Sequence, residues 1–196
     1  MYVGDFDGNG SVEQIVTCFN GDSAYPFLLR HDLVTVLPYL KKKYLKYADY
    51  KNQTIGDIFN PDQLSGAIQL KASCMESSVL INDGNGKFTR KSLPTPAQLS
   101  PIYGIVVTDV DHDGNKDILM AGNFYQSKPE TGIYDGSYGC YLKGNGRGDF
   151  LTVKNSDSGF WVTGAVRDMA IITTARKSLV LVSINNQKLK VLTFNP

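Results

Sequence analysis

The chain is poor in the residues from which most reactive sites are built. Among its 196 residues are three cysteines, two histidines and one tryptophan. Cys18, Cys74 and Cys140 are odd in number, far apart and without a CxxC pair. Neither a disulfide framework nor a zinc site is indicated, and buried apolar thiols are expected. No G-x-S-x-G, Walker loop, HExxH or Cys/His pair is present, so no enzyme is expected. Charge of one sign is also missing: Lys plus Arg is 20, Asp plus Glu is 19, and the formal net charge is +1. That balance argues against a broad nucleic-acid surface and a polybasic membrane arm. No run reaches the roughly 20 apolar residues that a membrane helix needs. The opening Met-Tyr-Val-Gly-Asp-Phe-Asp has neither the basic nor the apolar region of a signal peptide.

Glycine and aromatics are plentiful: Gly 19, Tyr 11 and Phe 9. Many turns with many aromatics lean towards β structure, and a mean hydropathy of −0.19 is ordinary for a packed, soluble protein. The turns recur. Val79-Leu80-Ile81-Asn82-Asp83-Gly84-Asn85-Gly86-Lys87-Phe88 parallels Tyr141-Leu142-Lys143-Gly144-Asn145-Gly146-Arg147-Gly148-Asp149-Phe150, with Phe88 and Phe150 offset by 62. Each reads as a β-hairpin. Upstream, Asp5-Phe6-Asp7-Gly8-Asn9-Gly10-Ser11-Val12-Glu13 parallels Asp109-Val110-Asp111-His112-Asp113-Gly114-Asn115-Lys116-Asp117, offset by 104. A decayed third copy is expected at Val166-Arg167-Asp168-Met169-Ala170-Ile171-Ile172, with too little of the loop left to hold an ion.

The repeated unit is strand, acidic loop, strand, connection, strand, Gly-rich turn, strand, over 1–94, 101–155 and 161–196. Four antiparallel strands per unit predict an all-β partial propeller of about three four-stranded blades. The segments are a first blade at 1–94, a second at 95–155 and a degenerate last one at 156–196. The first carries a helical insertion at about 27–70. Within it, Leu33, Val36, Leu37, Leu40, Tyr44 and Tyr47 recur at helical spacing over Asp32–Tyr50, with Asp32 as N-cap. Pro38 predicts a kink or two helices, and Thr54–Phe59 a further turn stopped by Asn60-Pro61. The insertion is expected to act as a lid or brace. Strand edges left open by three blades predict self-association, or a chain that is the C-terminal piece of a longer propeller.

The acidic loops carry the chemistry. Oxygen-bearing residues at alternate positions, with glycine at the turn, let a short loop wrap one hard cation. The expected ligands are Asp5, Asp7, Asn9, Ser11 (through its carbonyl) and Glu13 in loop one. In loop two they are Asp109, Asp111, Asp113, Asn115 (through its carbonyl) and Asp117. Calcium, which takes about six to eight oxygens flexibly, is the first choice and magnesium the second. Loop two, with more carboxylates, is expected to bind more tightly. Neither loop is an EF-hand: Val16 and Met120 stand where a bidentate Glu is required. His112 is expected to point outward. Gly144–Gly148 reads as a hairpin turn rather than a phosphate loop, and Arg147-Gly148-Asp149 as part of that turn rather than an adhesive tripeptide.

Val3–Gly10 and Val107–Ile118, with the Asn82–Phe88 turn, resemble the FG-GAP/VCBS repeats of integrin α-subunit propellers and of ASPIC/UnbV and cartilage-acidic-protein-like families. The insertion, Ser100–Gly104 and Gly122–Tyr125 are similar to VCBS-type secreted proteins of Bacteroidetes. The resemblance implies a propeller with calcium between the first two strands of a blade. It also implies an extracellular, periplasmic or outer-surface location and a role in adhesion or recognition of a protein or glycan. A structural scaffold of a larger envelope protein is the alternative. Less favoured is an enzyme using the propeller face, with Asp49, Asp57 and Asp62 as its carboxylates.

Overall fold

The computed structural model describes residues 1–174 and 177–194. The last two residues of the expected third unit, and 175–176 within it, lie outside the described residues. The chain forms two compact units, Met1–Cys74 and Met75–Pro196.

In the first unit, β1 (Tyr2–Gly4) lies between β2 (Glu13–Ile15) and a short β5 (Ile68–Gln69), both antiparallel to it. Between β2 and β5 the chain makes a separate hairpin, β3 (Thr17–Asn20) with β4 (Ser23–Pro26). Four short helices follow: α1 (Arg30–Val36), α2 (Tyr47–Tyr50), α3 (Ile55–Ile58) and α4 (Pro61–Gly66). The kink expected at Pro38 is a break, because Pro38 starts a separate 3₁₀ turn over Pro38–Lys42. Asp32 is not the N-cap. Leu29 holds that position without a side-chain bond, and Asp32 sits in the first turn, where its charge suits the helix dipole. Leu33, Leu37, Leu40 and Tyr44 are buried as the spacing predicts, while Val36 and Tyr47 are exposed. Asn60-Pro61 does more than stop a helix. Thr54 caps α3, and Asn60 then caps α4 with Pro61 in its first turn, each cap paired with an acid or amide three residues on.

The second unit holds β6 (Ser78–Gly84) and β7 (Lys87–Ser92), a hairpin turning through Asn85-Gly86. A four-stranded meander follows: β8 (Ile102–Thr108), β9 (Asp117–Gly122), β10 (Cys140–Gly144) and β11 (Phe150–Val153). After a helical turn α5 (Asn155–Ser158) come β12 (Val166–Thr173), β13 (Ser178–Ile184) and β14 (Lys190–Phe194), all antiparallel. Asn186 takes a positive φ in the last hairpin turn.

The fold class is thus all-β, with small antiparallel sheets of the partial-propeller type and a helical insertion. The meander is the complete blade. Its central strand β9 is buried at every position because both faces are covered. Leu119 and Ala121 face one core with Val166, Met169, Val180 and Val182 of the β12–β14 sheet. Ile118 and Met120 face a second core with Leu93 and Ala97, which follow the β6–β7 hairpin in the chain.

Two local expectations are corrected. The last unit, expected to have four strands, has three among the described residues, because 161–165 form none. Asp168 does not mark a shrunken loop. It lies inside β12, where the pairing with β13 shifts register between Val166 and Asp168. A difference of grouping also emerges. The β6–β7 hairpin, assigned to a first blade ending at 94, lies in the compact unit that begins at Met75. The cause is packing: Val79 joins the Ile118–Met120 core, and Lys91 pairs with Asp149 at 2.7 Å.

Candidate metal centre

Each acidic loop joins two antiparallel strands whose last and first residues pair, Gly4 with Glu13 and Thr108 with Asp117. The ladder therefore fixes both ends of the loop. In loop one, carboxylate oxygens of Asp5, Asp7 and Glu13 all lie within 4.8 Å of one another; in loop two, those of Asp109, Asp111 and Asp117 do. The ninth-position acid is the buried anchor. Glu13 Oε2 accepts the Phe6 amide at 2.9 Å, and Asp117 Oδ2 accepts the Val110 amide at 2.9 Å.

The turns are made by amides folding onto the first aspartate. Gly8 and Gly10 amides donate to the Asp5 carboxylate at 2.7 and 2.8 Å, and Asp113 and Gly114 amides to Asp109 at 3.1 and 2.9 Å. The Gly10 amide is the main cause that holds the Asp5 carboxyl below the usual range. Asn9 Oδ1 accepts the Ser11 amide at 2.6 Å, and its Nδ2 donates to Asp7 at 3.0 Å. Ser11 and Asn115 enter the loops through their amides, the latter donating to Asp113 at 2.8 Å. His112 takes a positive φ on the exposed side of loop two.

Asp113 is not in the loop-two triad. Its carboxylate pairs with Lys143 Nζ at 3.0 Å, and the same ammonium donates to Asp111 Oδ2. The Asn115 amide and then Lys143 hold the Asp113 carboxyl low, while the two aspartates raise the Lys143 ammonium above the usual lysine range. Around Asp117, Gly144 N donates at 2.8 Å and Tyr141 OH at 3.1 Å. Gly144 is required there, since a Cβ would lie 2.1 Å from the Lys116 carbonyl.

Of three supports around the loops, the sequence reading foresaw only the insertion, as a lid or brace. Lys143 is one; its place in the repeated hairpin segment was visible, but its direction was not. The second is the insertion, which braces loop one. Phe6 buries its ring 4.4 Å from that of Phe59, and its carbonyl accepts from Gln63 Nε2 at 2.7 Å. The third is Asn123, buried and at positive φ, which donates to the carbonyls of Ser137 and Gly164. It ties the long connection after β9 to the segment that leads into β12.

Other candidates have local duties. Asp49 and Asp57 accept the amides of Lys46 and Thr54, both at 2.8 Å, and Asp62 lies in the first turn of α4. They are helix-start residues on three different helices. Of the Lys41–Lys43 run, Lys43 donates to the Asp57 and Ile58 carbonyls. The Arg147-Gly148-Asp149 tripeptide is folded onto Asn145, whose Oδ1 accepts the amides of Arg147 at 2.8 Å and Asp149 at 3.2 Å. Lys91 holds the Asp149 carboxyl low.

Each triad presents only oxygen donors, with a buried carboxylate at its base, a set suited to a hard divalent cation and not to zinc or copper. Among comparisons with known proteins, a model of the FG-GAP-like repeat matches residues 67–120, just over a quarter of the chain. That stretch runs from the end of the insertion through the β6–β7 hairpin, β8 and loop two into β9. No curated protein and no solved structure matches the chain. No helix among the described residues is long and apolar enough to cross a membrane.

Proposed function

We propose that this chain is a non-enzymatic, calcium-binding propeller segment that serves recognition or adhesion, towards a protein or glycan, outside the cytoplasm. The observation that carries the reading is the recurrence of one carboxylate triad at one structural place. In both repeats, three carboxylates converge between two paired antiparallel strands, and the last one is buried on a backbone amide. Bringing three like charges this close costs repulsion, which a divalent ion would relieve. The FG-GAP-like repeat at 67–120 supports the extracellular and adhesive side of the reading.

Asp5, Asp7 and Glu13 would hold the ion in loop one, and Asp109, Asp111 and Asp117 in loop two. Its role there would be to pin a loop between two strands. A cation bound only by the folded loops adds stability by mass action, about 2.7 kcal/mol at a hundredfold excess over its Kd. Calcium should therefore raise the Tm by several degrees, and Asp7→Ala should lose much of that shift. Asp7 suits this test better than Asp113, which lies outside the triad. Wild-type melting curves that coincide in EDTA and in excess calcium would overturn the calcium reading. A glycan array separates lectin-like recognition from a scaffold role.

A further inference from the structure

We propose that Lys143 is a built-in cation of loop two, so that this loop keeps its shape without metal and is the weaker metal site of the two. The second half of this inference rests on the calcium reading; the first does not. Lys143 projects from β10, and its ammonium bonds Asp111 and Asp113 together. The same strand supplies Tyr141 OH and Gly144 N to Asp117. One strand therefore partners three of the four loop-two carboxylates, and the fourth, Asp109, is taken by two loop amides.

Loop one is built differently. Among the described residues, no lysine, arginine or histidine lies within ion-pairing distance of Asp5, Asp7 or Glu13. Loop two has Asp113 where loop one has the neutral Asn9, and the Lys143 charge offsets that extra carboxylate. A divalent ion entering loop two meets an ammonium already bound to Asp111, one of its own prospective ligands, and must push it aside against like-charge repulsion. The expectation of tighter binding at loop two is thereby reversed.

The test uses the full chain as wild type, Lys143→Met and Lys143→Met with Asp111→Asn, melted in EDTA and titrated with calcium chloride by calorimetry. In EDTA, Lys143→Met should lower the Tm by about 2 °C, a modest shift because the pair is partly exposed. Asp111→Asn in that background should recover at least half of it by removing the stranded charge. In calcium, Lys143→Met should bind about tenfold more tightly at a site that survives Asp7→Ala. A Lys143→Met protein that melts like wild type in EDTA, or gains nothing from Asp111→Asn, overturns the built-in cation. Wild-type binding at loop two as tight as at loop one overturns the ranking. Should no variant bind calcium, the calcium reading falls, and the EDTA melts still decide the role of Lys143. If Lys143→Met does not fold, Lys143→Gln, which keeps a donor without the charge, is melted in its place.

Discussion

At the residue scale, the most consequential side chain is Asp117, the fully buried acid that closes loop two. It accepts from Val110 N, Gly144 N and Tyr141 OH, and so joins the loop to β9 and β10. Asp117→Ala would leave these donors without their partner in a closed space. A cost of about 3 kcal/mol is expected, measurable by urea unfolding in EDTA so that metal plays no part. The cysteines separate in the same way by environment. Burial pushes the Cys140 thiol up to about 11, whereas Cys18 and Cys74 are exposed. Under native conditions near neutral pH, a thiol reagent should label Cys18 and Cys74 and spare Cys140 until the protein unfolds. The sign of the pH effect follows. The folded state disfavours the Cys140 thiolate, so stability is fully present below the ordinary thiol value of 9.0 and falls as pH rises to about 11. Of the three thiols, the sequence foretold burial for all and the structure buries one. Nothing in a lone cysteine's neighbours tells which side of a short strand faces the core.

At the scale of elements, the acidic loops were legible because alternation and glycine placement are local. The turn is dictated within nine positions, by amides returning to the first aspartate. The helix start at Thr54 was legible for the same reason, whereas Asp32 was misplaced as the cap of α1 and Asn60-Pro61 was read only as a stop. What local pattern cannot carry is contact between distant elements. Lys143 reaches loop two from another strand, and Phe6 packs against Phe59 across more than fifty positions. Close approach between sheets is equally silent. Gly104 in β8 lies against β12, where a Cβ would sit 2.6 Å from Met169 Cγ and 3.1 Å from the Asp168 backbone. Gly104→Ala should therefore spread the two sheets and destabilise by about 1–3 kcal/mol, seen as a lower urea midpoint. The Asp168 segment, expected as a shrunken loop, lies in this same close approach. It belongs to a strand whose register shifts beside Asp168 and whose Val166 and Met169 share the core of the preceding blade.

At the scale of the whole molecule, the division into units follows from where the cores lie. One core draws only on residues before Cys74, with Phe6, Ile15, Phe59 and the buried face of the helical insertion. The other two draw only on residues after Met75, on the two faces of β9. The repeat in the sequence groups the β6–β7 hairpin with the first blade, whereas the compact units group it with the meander, because similarity between segments says nothing about which sheet a segment packs on. The matched FG-GAP-like stretch, 67–120, takes in this hairpin together with loop two. A core wholly contained in one segment should fold without the rest. Residues 75–196 expressed alone should therefore give a single cooperative urea transition and retain protection of Cys140 from thiol reagents. A 75–196 fragment whose Cys140 labels as fast as a free thiol would mean that its cores depend on the first unit. The exposed stretch at 70–76 leads to a matching expectation for the intact chain. Brief trypsin treatment should cut first at Lys71 and release a folded C-terminal piece.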